Sequence, residues 1–247
     1  MIVSQTVAIT GAGAGIGQAL AVGFVGDGAH VIAISHGAEG LERTRQLCTG
    51  PGSIDCQLLD VTDASRLEEL FARVVRERGG IDVLVNNAAV YPRSTLCAMT
   101  PEQWASGVAT NLNGVAYGCR AAVRALPPDR AAIIMNVGSF AYRGPEPAST
   151  LYCATKGAVE AFTRALAVEL AAAHSRLIVN HWVPGVYRTR MSGHTGDDPR
   201  LAYERLTAAL RLSREGSGGR IFAGDSEWLP PRSLRSRLKS LLSGRRR

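Results

Sequence analysis

Tyr152 and Lys156 stand four residues apart, a spacing that puts a phenol and a cation on one face of a helix. Ser139 lies thirteen residues before the tyrosine. A free phenol, with a pKa of about 10, is too weak an acid to give and take a proton near neutrality. A neighbouring ammonium favours its phenolate, so Lys156 is read as the cation that tunes Tyr152. Such a set can protonate the oxyanion left when hydride reaches a carbonyl, with Ser139 hydrogen-bonding that oxygen as its charge develops. Near the start of the chain, Thr10-Gly-Ala-Gly-Ala-Gly-Ile-Gly17 supplies the complementary piece. A turn without β-carbons at the opening of a helix lets backbone N–H groups and the helix dipole meet a pyrophosphate. Each motif alone is common. Their order, and the sequence between them, point to a nicotinamide-dependent oxidoreductase.

The elements that must position these groups are legible as an alternation. Short apolar, β-branched runs at 7–9, 31–34, 54–59, 81–85, 131–137 and 177–183 read as buried parallel strands. Helical patterns lie between them at about 15–28, 39–49, 63–78, 101–126 and 152–173, the fourth opened by Thr100 as cap, Pro101 and Glu102. The alternation specifies an α/β fold, a doubly wound parallel sheet of the Rossmann type with helices on both faces. Ligands in such sheets bind beyond the carboxyl ends of the strands, where the strand order reverses. After the sixth strand the rhythm changes, and a substrate lid is expected over about 186–212, with a helix from about 199 to 212 and a last short strand at 219–223. We expect one catalytic domain over residues 1–230, followed by a basic tail over 231–247.

The 247 residues, 46% of them hydrophobic, are ample for one buried core. No apolar stretch is long enough to cross a membrane, and the start runs into a strand without a charged region and cleavage site. A soluble, cytoplasmic protein is the expectation. The net charge of +7 resides in the tail: Arg232, Arg235, Arg237, Lys239, Arg245, Arg246 and Arg247 stand there without an acid, and the remaining 21 basic groups are matched by 21 acidic ones. A neutral body argues against a nucleic-acid-binding fold. Leu234, Leu238, Leu241 and Leu242 would share a helical face in the tail. Cys48, Cys56, Cys97, Cys119 and Cys153 lack metal-ligand or disulfide-framework spacing and read as reduced thiols, mostly small core residues. No metal is expected. His181 and His194 have no motif partner and read as surface or lid residues.

The glycine turn departs from strict G-x-G-x-x-G. It fits T-G-x-x-x-G-x-G, and with Ser139 and Tyr152-Cys-Ala-Thr-Lys156 the chain resembles the short-chain dehydrogenase/reductase family, closely over residues 5 to about 190. The resemblance implies that Thr10, Gly11, Gly13, Gly15, Ile16 and Gly17 cradle a nicotinamide dinucleotide and that Asp60 and Val61 meet its adenine. It implies that Asn87, Ala88 and Ala89 close over it, Ala89 standing where the family usually has glycine. It makes Asn111 the residue that bends its helix and holds a water in a proton relay to the lysine. Lys156, together with Tyr152, would also bind the nicotinamide ribose. Pro184, Gly185 and Val186 would wall the nicotinamide, and Thr189 would contact its carboxamide. Asn111, Ser139, Tyr152 and Lys156 would form the catalytic set.

At the end of the second strand, an acid would bind the ribose 2′-hydroxyl and repel a 2′-phosphate. Ser35 and His36 stand there instead, with Arg43 nearby in sequence, so NADP(H) is favoured over NAD(H). The alternative is a merely polar turn with NAD held through backbone contacts. The reading is an NADPH-dependent carbonyl reductase, or the reverse alcohol dehydrogenase, acting on a small or medium organic molecule in secondary metabolism. The alternatives are an epimerase, dehydratase or cyclase on the same scaffold, and a non-catalytic dinucleotide sensor. Val90-Tyr-Pro-Arg93, Phe140-Ala-Tyr-Arg-Gly144 and the lid line the expected pocket, whose character is aromatic with a few arginines. The short interval between Ser139 and Tyr152 has no room for the inserted helix of monomeric family members, so the resemblance implies a homodimer or homotetramer.

Overall fold

The structure is a computed structural model and describes residues 4–127, 129–173 and 176–229. Strand and helix alternate as β1 (Thr6–Thr10), α1 (Gly15–Gly26), β2 (His30–Ser35), α2 (Ala38–Leu47), β3 (Ser53–Leu58), α3 (Ala64–Arg78) and β4 (Val83–Asn86). They continue with α4 (Pro101–Val108), α5 (Gly114–Ala125), β5 (Ala132–Val137), α6 (Thr150–Ala173), β6 (Leu177–Val183), α7 (Leu201–Arg214), β7 (Ile221–Ala223) and β8 (Ser226–Glu227). One eight-stranded sheet has the order β3-β2-β1-β4-β5-β6-β7-β8. Every pairing is parallel except the last, β7 with β8. The order reverses between β1 and β4, which is the switch point where a doubly wound sheet binds its ligand.

The central strands are buried on both faces because two apolar layers sandwich them, whereas the edge strands β3 and β8 are half-buried or exposed. On one side Phe24 and Leu20 of α1 and Leu206 of α7 pack over Val7, Ile9, Val31 and Trp182. On the other, Leu67 and Phe71 of α3, Val115 of α5 and Val159 of α6 pack over Ala8, Ile32, Leu84 and Ile134. Local signals set several boundaries. Asp63 caps α3 by accepting from Arg66 N at 3.0 Å, and Gly79 ends it at φ +76°. Thr100 and Gln103 form a reciprocal capping box at α4, with Pro101 in its first turn.

Three details differ from the sequence reading. The expected helix over 101–126 contains a π-helical turn, Ala109–Asn113, between α4 and α5. Extra backbone inserted this way is often found at functional sites. The end of the sheet adds β8, a two-residue antiparallel strand too short to show a period. The cysteines are mostly not core residues: Cys119 is buried, Cys97 is exposed, and Cys48, Cys56 and Cys153 are half-buried free thiols. The basic tail over 231–247 lies outside the described residues. No described helix is long and apolar enough to cross a membrane.

Candidate active site

The glycine turn and the end of β4 are stitched together at the switch point. Thr10 Oγ1 accepts from Asn87 N at 2.9 Å and from Ala88 N at 3.0 Å, and Asn87 Nδ2 donates to Thr10 O at 2.9 Å. Asn87 is therefore a clamp between two strands. Gly11 and Gly15 adopt φ +66° and +55°, which L side chains rarely do. A β-carbon at Gly11 would come within 2.8 Å of Ala88 Cα, and one at Gly15 within 3.1 Å of Thr189 Cγ2. Gly13 packs beside the Ser35 hydroxyl, and Gly17 abuts Gly11. Helix α1 begins with no side-chain cap and no acid in its first turn, so its free N–H groups suit an anion. These features fit a dinucleotide pyrophosphate.

At the end of β2, Ser35 is half-buried and accepts from Gly37 N at 3.4 Å, and His36 is exposed. Arg43 is exposed and loosely paired with Glu39 at 3.8 Å. Asp60 accepts from Thr62 N and Oγ1, and that backbone bond is the main cause holding its carboxyl below the usual range, with a smaller pull from His36. Val61 is buried against Gly114. Ile16 is half-buried in the turn, and Ala89 follows the Asn87 clamp.

On the far side of the switch point, Ser139 follows β5, and Tyr152 and Lys156 occupy the first two turns of α6. The Ser139 hydroxyl caps the turn after β5 by accepting from Ala141 N at 3.1 Å. Lys156 is fully enclosed, with Nζ donating to Val137 O at 2.7 Å and lying 5.7 Å from the centroid of the Tyr152 ring. Burial pulls its ammonium down to about 8. Burial also pushes the Tyr152 phenol above its ordinary value; the Ser139 hydroxyl opposes that shift, and Tyr91 and Cys153 add to it. The expected lowering of the phenol by Lys156 does not figure in this arrangement, where the ammonium is turned to a strand carbonyl. At neutral pH the phenol is held protonated, the form that gives a proton.

Asn111 sits in the π-helical turn and is fully buried. Its Nδ2 donates to Val90 O at 2.9 Å and Thr155 Oγ1 at 3.1 Å, and its Oδ1 accepts from Val90 N at 2.7 Å. The side chain ties the π-helical turn to the loop after β4 and to α6 between Tyr152 and Lys156. Pro184 follows β6 and accepts from the Tyr187 hydroxyl at 2.9 Å; Gly185 has φ +101°, and Val186 is exposed. Thr189, held by Ser192 at 3.1 Å, lies against Gly15 and joins the lid to the cofactor turn.

The lid is a loop over 186–200 followed by α7, which docks on α1. Tyr203 stacks edge-on against Phe24, and its hydroxyl donates to Asp27 at 2.6 Å. His194 is exposed at φ +63°. His181 overturns its reading as a surface or lid residue: it is completely buried in β6, and burial pushes its imidazole down to about 4. The continuous buried strand over 177–183 already implied as much.

Other neighbours were not foreseen by spacing. The Tyr91 ring stacks on Tyr152, and the Arg93 guanidinium sits over Tyr91 at 4.8 Å. Arg143 lies over Trp228 at 4.3 Å and pairs at 3.3 Å with Glu160, which also accepts from the Tyr142 hydroxyl. Glu160 follows Lys156 by four residues, which was the available signal that it shares that helix face.

Comparison with known proteins places the chain among relatives of one family and fold. The short chain dehydrogenase family model matches residues 5–200. The chain is 36% identical over 209 residues to the 3-oxoacyl-[acyl-carrier-protein] reductase FabG of Thermotoga maritima, covering 84% of this chain and 83% of the relative. It is 31% identical to the 2,3-dihydro-2,3-dihydroxybenzoate dehydrogenase of Bacillus subtilis, covering 84% and 79%. A crystal structure of a short-chain dehydrogenase/reductase from Burkholderia xenovorans superposes with a TM-score of 0.80 at 29% identity, covering 91% of this chain and 96% of that one.

Proposed function

The chain belongs to the short-chain dehydrogenase family and is an NAD(P)-dependent oxidoreductase of CH–OH/C=O groups; on that premise we propose that it is an NADPH-dependent ketoreductase of a small organic molecule. The observation that carries this reading is the grouping of Ser139, Tyr152 and Lys156 across the switch point from the glycine turn. When bound, the nicotinamide supplies or accepts the hydride. Ser139 holds the substrate oxygen, and Tyr152, protonated at neutral pH, gives that oxygen its proton. Lys156 keeps a labile proton close behind it. Asn111 fixes the backbone that brings the loop after β4 against α6.

For the cofactor, support for NADP(H) comes from the end of β2, where Ser35 and His36 stand without a carboxylate, so nothing on that strand end repels a 2′-phosphate. For the substrate, support comes from the rings of Tyr91, Phe140 and Trp228 with Arg93 and Arg143 among them. The T. maritima relative is named for reducing a 3-oxoacyl group and the B. subtilis relative for a cyclic dihydrodiol, and both types belong in a substrate screen. An apolar groove on the outer face of α5 and α6, lined by Ala116, Cys119, Val123, Phe162 and Leu166, is the face we assign to a homodimer or homotetramer. Following NADPH and NADH absorbance against 3-oxoacyl thioesters, cyclic ketones and diols tests the reading. It predicts carbonyl-dependent NADPH consumption; turnover without any change in nicotinamide redox state would favour an epimerase or dehydratase.

A further inference from the structure

One buried polar group has no part in the chemistry described so far. His181 lies in β6 in register with Asn136 of β5, and with Leu177 and Val179 it faces the α5 and α6 side of the sheet. The side chain is completely enclosed, and neither ring nitrogen has a hydrogen-bond partner among the described residues. Asn136, its neighbour in register, is hydrogen-bonded through both ends of its amide, accepting from Asn86 Nδ2 at 2.9 Å and donating through Nδ2 to Thr163 of α6 at 3.0 Å. An apolar ring would fill the same space without the cost of desolvating two ring nitrogens.

The place of the ring is specific. Its Nε2 edge presses on Gly138 so closely that a β-carbon at 138 would overlap it. Gly138 links the Val137 carbonyl, which holds Lys156, to Ser139. The charges that act on the imidazole are Glu160 and Lys156 of α6 and Arg143 of the turn after β5, and Tyr142 donates to Glu160. Lys156 is sealed from solvent, whereas Glu160 is half-buried and leads outward. The Asn111 side chain is already committed at both ends.

We propose that His181 is a positioning residue for Lys156, its imidazole binding a water that connects the lysine to Glu160 and thence to solvent. The inference rests on the reading of Tyr152 and Lys156 given above. Two or more polar partners are what a buried water requires, and the imidazole with the groups of α6 provides them. In the reducing direction the alkoxide takes the phenolic proton of Tyr152, and the resulting phenolate is returned to the phenol by a proton from the Lys156 ammonium. The amine then takes a proton from the water, and the water is reprotonated from Glu160 and bulk solvent while the imidazole holds it in place. One solvent proton is consumed per turnover, and no group other than the substrate and the nicotinamide that gives the hydride is changed. A neutral imidazole, which can donate at one nitrogen and accept at the other, is the form this path needs.

The test compares His181→Phe, which fills the space without nitrogens, with His181→Gln, which restores an amide, in the full chain. We expect kcat for ketone reduction to fall roughly tenfold in His181→Phe with KM and NADPH affinity within about twofold, the solvent deuterium isotope effect on kcat to rise, and His181→Gln to recover most of the loss. An unchanged kcat and isotope effect in a folded His181→Phe protein would make the imidazole a packing element only. Should His181→Phe not fold, magnetisation transfer between water and the His181 N–H in the parent protein decides the matter: a long-lived bound water supports the proposal and its absence overturns it. Tyr152→Phe run in parallel separates the two layers. If that variant is inactive while His181→Phe equals the parent, the proposal alone fails; if Tyr152→Phe keeps full turnover, the reading of the site fails and the proposal with it.

Discussion

The ring of Tyr91 stacks on the ring of Tyr152, with centroids 4.4 Å apart and 18° between their planes. The proton-bearing phenol is thereby covered by a second aromatic group from the loop after β4, and that cover is part of what keeps it protonated. Removing it exposes Tyr152 to water, which favours the phenolate. Tyr91→Ala should shift the basic limb of the pH profile of kcat/KM to lower pH and cost about 1 kcal/mol of stability from the lost ring pair. A limb unmoved from the parent's position would mean that Tyr91 does not touch the acid's environment.

Lys156 makes a second prediction measurable by two methods. It and Lys239 are the two lysines in the chain, so a carbon-labelled lysine NMR titration shows two side-chain signals. One should titrate near 8, where burial places Lys156. The unfolded chain holds this proton to about 10.5, so between pH 8 and 10.5 the unfolded state binds more protons and stability rises with pH. Relative to Lys156→Met, the parent should gain roughly 3 kcal/mol across that window. A gap between the two proteins that stays constant with pH would contradict the buried ammonium.

His36 carries the cofactor preference. Placing a carboxylate there, in His36→Asp, should weaken NADPH binding by about tenfold or more through repulsion of the 2′-phosphate, and leave NADH binding equal or better. Dissociation constants from fluorescence titration decide it, and tighter binding of NADH by the parent would reverse the assignment.

Gly11 is a position where backbone and space both demand glycine. Its φ of +66° and the 2.8 Å approach of Ala88 Cα predict that Gly11→Ala loses about 1–3 kcal/mol in denaturant unfolding and weakens NADPH binding at the same time. Normal stability with normal affinity would show that the turn tolerates a side chain there.

How much of this was legible beforehand depended on the range of the interaction. The alternating strands, the Thr100 cap, the glycine turn and the pairing of Tyr152 with Lys156 are written in local periodicity and short spacing, and they place the site at the switch point without coordinates. The contacts that tune the site are not local. Tyr91 reaches Tyr152 from the far side of α4 and α5, Lys156 turns to a carbonyl of β5, and the Glu160 carboxylate gathers Tyr142 and Arg143 from a turn before α6. No period in the chain encodes those meetings. Residue type alone puts a lone histidine at the surface, whereas the place of His181 inside a strand buried on both faces decides its environment.

The central claim is that Tyr152 delivers the proton that accompanies hydride transfer to a carbonyl. It is tested most directly by the turnover of Tyr152→Phe in NADPH-dependent ketone reduction, measured with cofactor affinity in the same preparation. The account predicts that kcat falls by about 10²- to 10⁴-fold with NADPH binding retained. A variant that reduces ketone at the parent's rate would contradict it.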